Sequence, residues 1–448
     1  MQLVAYGAQD VYLTGAPKIT FFQAVYKRHT NFAMEVIQQT VNGSSTSSGR
    51  VSVTIARNGD LVGNMYVALT PLATSVPTTT GVAGSVDGVW LAERALADVE
   101  LSIGGSRIDK HYQTWFRLYA EVFLKESQKI EYGKLTSCPV NTAGVASTST
   151  PKVYLPLLFF FNRNPGLYLP LIALQYHEVR LDFDLSSQYS TYFGTNALEV
   201  WANYVYLDTE ERRRFASNPH EYLIEQVQHT GGDLVPSNST ENSAALIRLS
   251  LNHPVKELIW CYTNTSASVP NAMWNFTTGT SNVQLSTIPT ATTSSWAPHA
   301  VGAPHLSFTP LSATGAMIVE EGDRVAGSGT VNGVEVGPMH QFKLILNGQD
   351  RMKEQLGKFY NQYQPYQHHS GTPYAGIYVY SFALQPEELQ PSGTCNFSRI
   401  DNAQVAVNLK TGGGALALQS NFNTQKLFAV NYNILRIQAG MGGLAFSN

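Results

Sequence analysis

Asp182 and Asp184 stand two apart in VRLDFDL (Val179–Leu185), so on a strand their carboxyl groups leave the same face. Paired carboxylates on a β-sandwich are what a glycosidase needs for its acid and nucleophile. The same spacing also fits a solvated outer face, with Leu181, Phe183 and Leu185 turned to a core. His177-Glu178 and His220-Glu221 begin like a zinc-protease motif but lack the second histidine at helical spacing. The second pair reads as the opening of a strand. His368-His369 has metal-ligand chemistry, although a lone pair on a loop is ordinarily solvated. Neither a GxxxxGK[ST] phosphate loop nor a GxSxG elbow occurs. Arg212, Arg213 and Arg214 follow Glu210 and Glu211, which points to a salt-bridged linker or subunit contact rather than a phosphate site. No catalytic residue, cofactor site or metal site is assigned.

Three cysteines, Cys138, Cys261 and Cys395, lie far apart and give neither a disulfide framework nor a zinc knuckle. They read as buried free thiols. Five N-x-[ST] sequons occur, at Asn42, Asn238, Asn264, Asn275 and Asn396. Asn264, Asn275 and Asn42 fall in expected outer loops and are the candidate glycan acceptors. The start MQLVAYGAQD lacks the basic-then-apolar layout of a signal peptide. The most apolar stretch, Val153–Tyr176, is broken by Pro156, Pro165 and Pro170 and does not read as a membrane span.

The elements that would carry these residues are strands. VSVTIA (Val51–Ala56), MYVALT (Met65–Thr70), VELSIG (Val99–Gly104) and VRLDFDL alternate side to side and are rich in β-branched and aromatic residues. Ser/Thr/Gly/Pro stretches separate them. The one clear helical pattern is Lys110–Lys125, with Trp115, Leu118, Tyr119 and Val122 at helical spacing.

An internal repeat organises the chain. MEVIQQT (Met34–Thr40) resembles IEQVQHT (Ile224–Thr230) at an offset of 190. The stretch around Val53, Asn58 and Tyr66 resembles that around Ile247, Asn252 and Trp260 at 194. VELSIGGSRIDK (Val99–Lys110) matches FKLILNGQDRMK (Phe342–Lys353) at 243, which sets Phe116 on Phe359. LDFDL (Leu181–Leu185) matches VAVNL (Val405–Leu409) at 224, and NYVYL (Asn203–Leu207) matches NYNIL (Asn431–Leu435) at 228. The jump from 194 to 243 places about 49 extra residues between the third and fourth strands of the second half. Each half then carries roughly eight strands, the count of a jelly roll. The expected fold is all-β: two tandem eight-stranded jelly-roll sandwiches with few short helices and long loops gathered at one end. Residues 1–31 form an aromatic-rich docking segment, 32–212 the first sandwich and 213–448 the second. The C-terminal GMGGLAF run should tuck back, its glycines permitting close backbone approach. Leu258–Val319 has no Asp, Glu, Lys or Arg yet keeps Trp274, Phe276, Trp296 and Phe308, which suits an ordered, turn-rich tower.

Charge is sparse: 29 Lys+Arg against 32 Asp+Glu, net −3, with 14% charged residues. That excludes a coat held to nucleic acid by clustered basic residues and favours extended protein contacts, since charge is costly to desolvate.

Long blocks complete the reading. LVAYGAQDVYLTGAPKITFFQAVYKRHTNFAMEVIQQT (Leu3–Thr40), PGLYLPLIALQYHEVRL (Pro165–Leu181), RFASNPHEYLIEQVQ (Arg214–Gln228), LNGQDR (Leu346–Arg351), QPSGTCNFSRIDNA (Gln390–Ala403) and NYNILRIQAGMGGLAF (Asn431–Phe446) resemble the major capsid proteins of nucleocytoplasmic large DNA viruses, the chlorella virus type above all. The resemblance implies a double jelly roll in a homotrimeric, pseudo-hexagonal capsomer that tiles an icosahedral shell. It implies contacts with neighbouring capsomers and with minor capsid proteins on the inner face. An inner viral membrane would lie beneath without being entered, assembly would occur in the host cytoplasm, and there would be no enzyme activity or direct nucleic-acid contact. The competing reading is a carbohydrate-binding or glycoside-hydrolysing tandem sandwich built on Asp182 and Asp184.

Overall fold

Among the described residues, sixteen of the strands form the backbone of four large sheets in the computed structural model, and every pairing between them is antiparallel. The structure describes residues 7–46, 48–72, 90–137, 152–235, 244–263, 276, 308–310, 317–319, 338–371, 373, 376–409 and 424–446. The first half contributes β1 (Phe32–Gln39), β2 (Arg50–Thr54), β3 (Leu61–Pro71), β4 (Leu96–Ile103), β5 (Ser106–Tyr112), β6 (Val153–Pro156), β7 (Val179–Leu185) and β8 (Phe193–Leu207). They are ordered β1-β8-β3-β6 in one sheet and β2-β7-β4-β5 in the other. The second half repeats this with β9 (His220–Leu234), β10 (Ala245–Leu249), β11 (Pro254–Thr263), β12 (Met339–Leu346), β13 (Gln349–Asp350), β14 (Ile377–Ser381), β15 (Ala403–Leu409) and β16 (Thr424–Gln438), ordered β9-β16-β11-β14 and β10-β15-β12-β13. Each half is a jelly roll.

The repeat holds at the level of register. Val53 opposite Leu181 becomes Ile247 opposite Val405, and Leu101 opposite Leu181 becomes Leu344 opposite Val405. Val36 opposite Asn203 becomes Gln226 opposite Asn431. Facing adds one correction. Gln39 accepts from the Ala56 amide at 3.0 Å, and Gln228 accepts from the Asn252 amide at 2.9 Å, so these two do the same work. Gln39 to Gln228 is one residue short of the offset of 190. In an antiparallel pair, opposite slips in the two strands cancel in the register, yet each turns a side chain to the other face.

The helical expectation begins too early. Lys110 and Tyr112 pair with Glu100 and Asp98 in the β4–β5 hairpin, and helix α1 covers Gln113–Val122. Trp115, Leu118 and Val122 are buried as the spacing predicts. Helix α2 (Glu126–Thr136) follows, and α3 (Thr209–Ser217) joins the halves. There Arg212 Nε meets Asp60 at 2.7 Å, the salt-bridged linker expected.

The connections after the first, third, fifth and seventh strands of the first half meet at one end. Leu185 donates to Gly49, Ser186 to Ala95 and Leu72 to Tyr192. A buried knot anchors that end: Arg117 lies 3.3 Å from Glu93 and 2.9 Å from Glu121, with its guanidinium 3.7 Å over the Trp90 ring. Burial, partly offset by Arg117, pushes the Glu93 carboxyl up to about 7. Most of the long second-half insertion lies outside the described residues, but Phe276 is buried in the first core cluster.

The C-terminal run folds back as expected. Strand β17 (Met441–Leu444) pairs with β16, and the Gly442 carbonyl and amide lie 2.9 and 3.1 Å from His177 Nδ1. A Cβ on Gly442 would come within 2.7 Å of Leu174 in the other half. By contrast, residues 7–31 bury little against their own chain, and the Phe22 ring is fully exposed. Among the described residues no helix is long and apolar enough to cross a membrane.

Candidate assembly interface

The residues with enzymatic potential are spent on structure. Asp184 takes a two-pronged contact from Arg50, 2.8 Å at both oxygens, on the outer face of the β2-β7-β4-β5 sheet. That guanidinium holds the Asp184 carboxyl below its ordinary range. Asp182 is held by Arg180 at 2.7–2.8 Å. A glycosidase acid must retain its proton near neutrality, and Asp184 under Arg50 does the reverse. His220 opens β9 as the sequence suggested.

His369 departs from the solvated-loop expectation. Its ring is fully buried, 3.2 Å from Glu257 and 3.5 Å from Glu387. Burial alone would lower its pKa, but the two carboxylates outweigh that and raise it to about 9. Among the described residues no group of three His, Cys, Asp or Glu converges as a metal site. Cys261 is a buried free thiol, pushed up to about 12 by burial, and Cys395 is free and half-buried. Cys138, Asn238, Asn264 and Asn275 lie outside the described residues. Asn42 is exposed where the first connection begins, whereas Asn396 accepts from the Ser398 amide at 3.0 Å and starts a short helical turn.

What the structure does build is a seam between the sandwiches. In β11, Leu258, Trp260 and Tyr262 point into the second sandwich's own core. Ile259 and Cys261 point the other way, joined by Phe428, Val430, Ile377 and Val379, and these belong to the core cluster of the first half. The sheet β9-β16-β11-β14 is thus buried on both faces, which explains why PVKELIWCYT reads as nearly continuous apolar sequence. The first half covers it with β5, α1 and the Phe160–Arg163 turn. Trp115 sits 5.6 Å from Phe428, Tyr112 4.9 Å from His229 and Phe123 5.5 Å from His369 between ring centroids.

Polar contacts set the registration of this seam. The Val227 amide donates to Asp109 at 3.1 Å, Lys426 to Thr114 at 3.1 Å, and Gln226 to the Ile108 carbonyl. Glu225 bridges Lys256 at 2.6 Å and Arg163, from the first half, at 3.1 Å. Sequence reasoning missed these residues because each is an ordinary polar position until the halves are docked. The continuous apolar character of β11 was the available signal.

A tandem jelly roll whose two sandwiches are joined over a doubly buried sheet has the architecture of a shell-forming class. Comparison with known proteins narrows this. Residues 20–208 match the family model for the major capsid protein N-terminus, and residues 211–443 match that for the large eukaryotic DNA virus major capsid protein. The chain is 43% identical to the major capsid protein of Paramecium bursaria Chlorella virus 1 over 472 residues, covering 100% of this chain and 99% of that one. It is 39% identical to that of Phaeocystis pouchetii virus, with the same coverage. The crystal structure of the chlorella virus protein VP54 superposes with a TM-score of 0.73 at 38% identity, over 96% of this chain and all of that one. The Faustovirus major capsid protein shares the fold at a TM-score of 0.61 and 13% identity. The chain belongs to the major capsid proteins of large eukaryotic DNA viruses, and it is a structural component of the virion shell.

Two outcomes follow from the seam. A Cβ at Gly371 would meet the carbonyl oxygens of Leu124, Val122 and Glu121 at 2.7, 2.8 and 3.1 Å. Gly371→Ala should therefore cost about 1–3 kcal/mol in a urea melt, because backbone rather than a side-chain tip must move. His369, raised above its unfolded value of about 6.5, adds stability that is complete below that pH and disappears as pH climbs through about 9. Melts across that window should show a fall on the order of 3 kcal/mol at most, and Glu257→Gln with His369→Gln should flatten it.

Proposed function

We propose that the chain forms a homotrimeric capsomer of pseudo-hexagonal outline, six sandwiches around a threefold axis, which packs against like capsomers in an icosahedral shell. The observation that carries this reading is the duplicated sandwich with equivalent register in both halves, since two similar units per chain let three chains occupy six similar positions. Residues 32–212 and 213–448 are the two units. Minor capsid proteins would bind the inner face, over a membrane the chain does not enter, with assembly in the host cytoplasm. The chain would carry no enzymatic activity and make no direct contact with nucleic acid. Glycans, where present, would sit on Asn42, Asn264 or Asn275 at the ornamented end.

The 1–31 segment would dock on a neighbouring chain. Tyr12, Phe21, Phe22 and Tyr26 remain exposed on their own chain, an arrangement suited to burial elsewhere.

Light scattering on purified protein tests the assembly. A species of three 49.1 kDa chains, about 147 kDa, is expected; a monomer at every concentration would falsify the trimer. Deletion of residues 1–31 should lower the stability of that assembly. Trimers of unchanged melting behaviour would remove the docking role.

A further inference from the structure

His369 and the two residues after it stand where the sandwiches meet, just past helix α4 (Gln364–His368). One side of this segment is tied to the second sandwich. His369 Nε2 lies 3.2 Å from Glu257 and Nδ1 3.5 Å from Glu387, and the Ser370 amide and hydroxyl donate to the same Glu387 oxygen at 2.7 and 3.0 Å. The other side backs onto the first half. The Phe123 ring stands edge-on to His369, and the carbonyl oxygens of Glu121, Val122 and Leu124 close over Gly371. They mark the C-terminal end of α1, the end of a helix that favours a cation.

Glu257, Ile259 and Cys261 alternate along β11 on the face turned to the first half, so Glu257 is a fully buried carboxyl in an otherwise apolar row. A cavity of about 220 Å³ spans the seam beside it, walled by Tyr119, Phe123 and Arg163 from one half and Glu225, Lys256 and Glu387 from the other. The remaining charges here are engaged elsewhere. Arg163 and Lys256 hold Glu225, Arg117 and Lys129 hold Glu121, and His368 meets the Leu384 carbonyl. Burial pushes the Tyr432 hydroxyl up, so β16 brings no charge of its own. The positive charge that Glu257 and Glu387 share is that of His369.

We propose that this cluster is a proton-operated joint that sets how often the two sandwiches part. With His369 charged, the 369–371 segment clasps α1 to the second sandwich. With His369 neutral, Glu257 and Glu387 are left as like charges facing the negative end of α1, and the cavity gives water a way to them. Parting hydrates both carboxylates. Each sandwich keeps its sheets meanwhile, because Leu258, Trp260 and Tyr262 stay in a core that the seam does not supply. Burial works against the proton on His369 and the two carboxylates outweigh it, so the joint changes state near pH 9.

Cys261 reports on the joint, being fully buried in the same row as Glu257 and about 13 Å further along β11. The probe is maleimide labelling of Cys261 in the full chain carrying Cys138→Ser and Cys395→Ser, divided by the rate in concentrated urea at the same pH to remove the chemistry of the thiol itself. Between pH 7 and pH 10 that ratio should rise about 10- to 300-fold, with far-UV circular dichroism unchanged. Dilute urea should alter it little, since parting exposes far less surface than unfolding. Glu387→Gln, at a partly exposed position, should fold normally and move the rise to lower pH, because one of the carboxylates holding the proton is gone. Glu257→Gln with His369→Gln should remove the rise. A ratio that stays flat across this range overturns the joint, as does an unshifted rise in Glu387→Gln, a rise that persists in the double variant, or a urea dependence as steep as that of the whole-chain melt.

Discussion

One sheet must be apolar on both faces. The strands β9, β16, β11 and β14 belong to the second sandwich by pairing, yet their outward side chains belong to the core of the first. Burying a Phe or Ile side chain is worth roughly 1.5–3 kcal/mol, so a row that includes Ile259, Phe428, Val430 and Val379 fixes the sandwiches as one body. Polar groups at this seam set its alignment. Glu225 with Lys256 and Arg163, or His369 with its two carboxylates, must be docked in one geometry to recover the desolvation of their charges.

The same constraint explains the sparse charge of the chain. A monomer with 14% charged residues would be a poor design for a protein surrounded by water. For a shell component it suits surfaces that end in contact with protein. The charges that do occur are largely local pairs, such as Arg50 with Asp184 and Lys152 with Glu199, and they leave sheet faces near neutrality.

Much of this was legible in the sequence. Alternation found the strands, and the repeat found the duplication along with the place of the insertion. Carried through the offsets, the first-half pair Val53 with Leu181 lands on the second-half pair Ile247 with Val405. Three things were not legible. The one-residue slip between Gln39 and Gln228 leaves register unchanged and shows only in which way a side chain points. The early start given to α1 arose because Lys110 and Tyr112 suit a helix or a hairpin locally, and the hairpin won through pairing with β4. His369 looked like a loop residue because its partners, Glu257 and Glu387, are distant in sequence.

The fold-back of β17 bears on how the chain is made. Gly442 and His177 close a contact between the last strand and the first sandwich, and Leu174 and Ile103 of that sandwich pack against the same glycine. During synthesis the first sandwich is complete in strands well before Met441–Leu444 leaves the ribosome. A chain ending just after Gln438 would keep the paired strands of both sandwiches but leave His177, Leu174 and Ile103 without the backbone that closes over them.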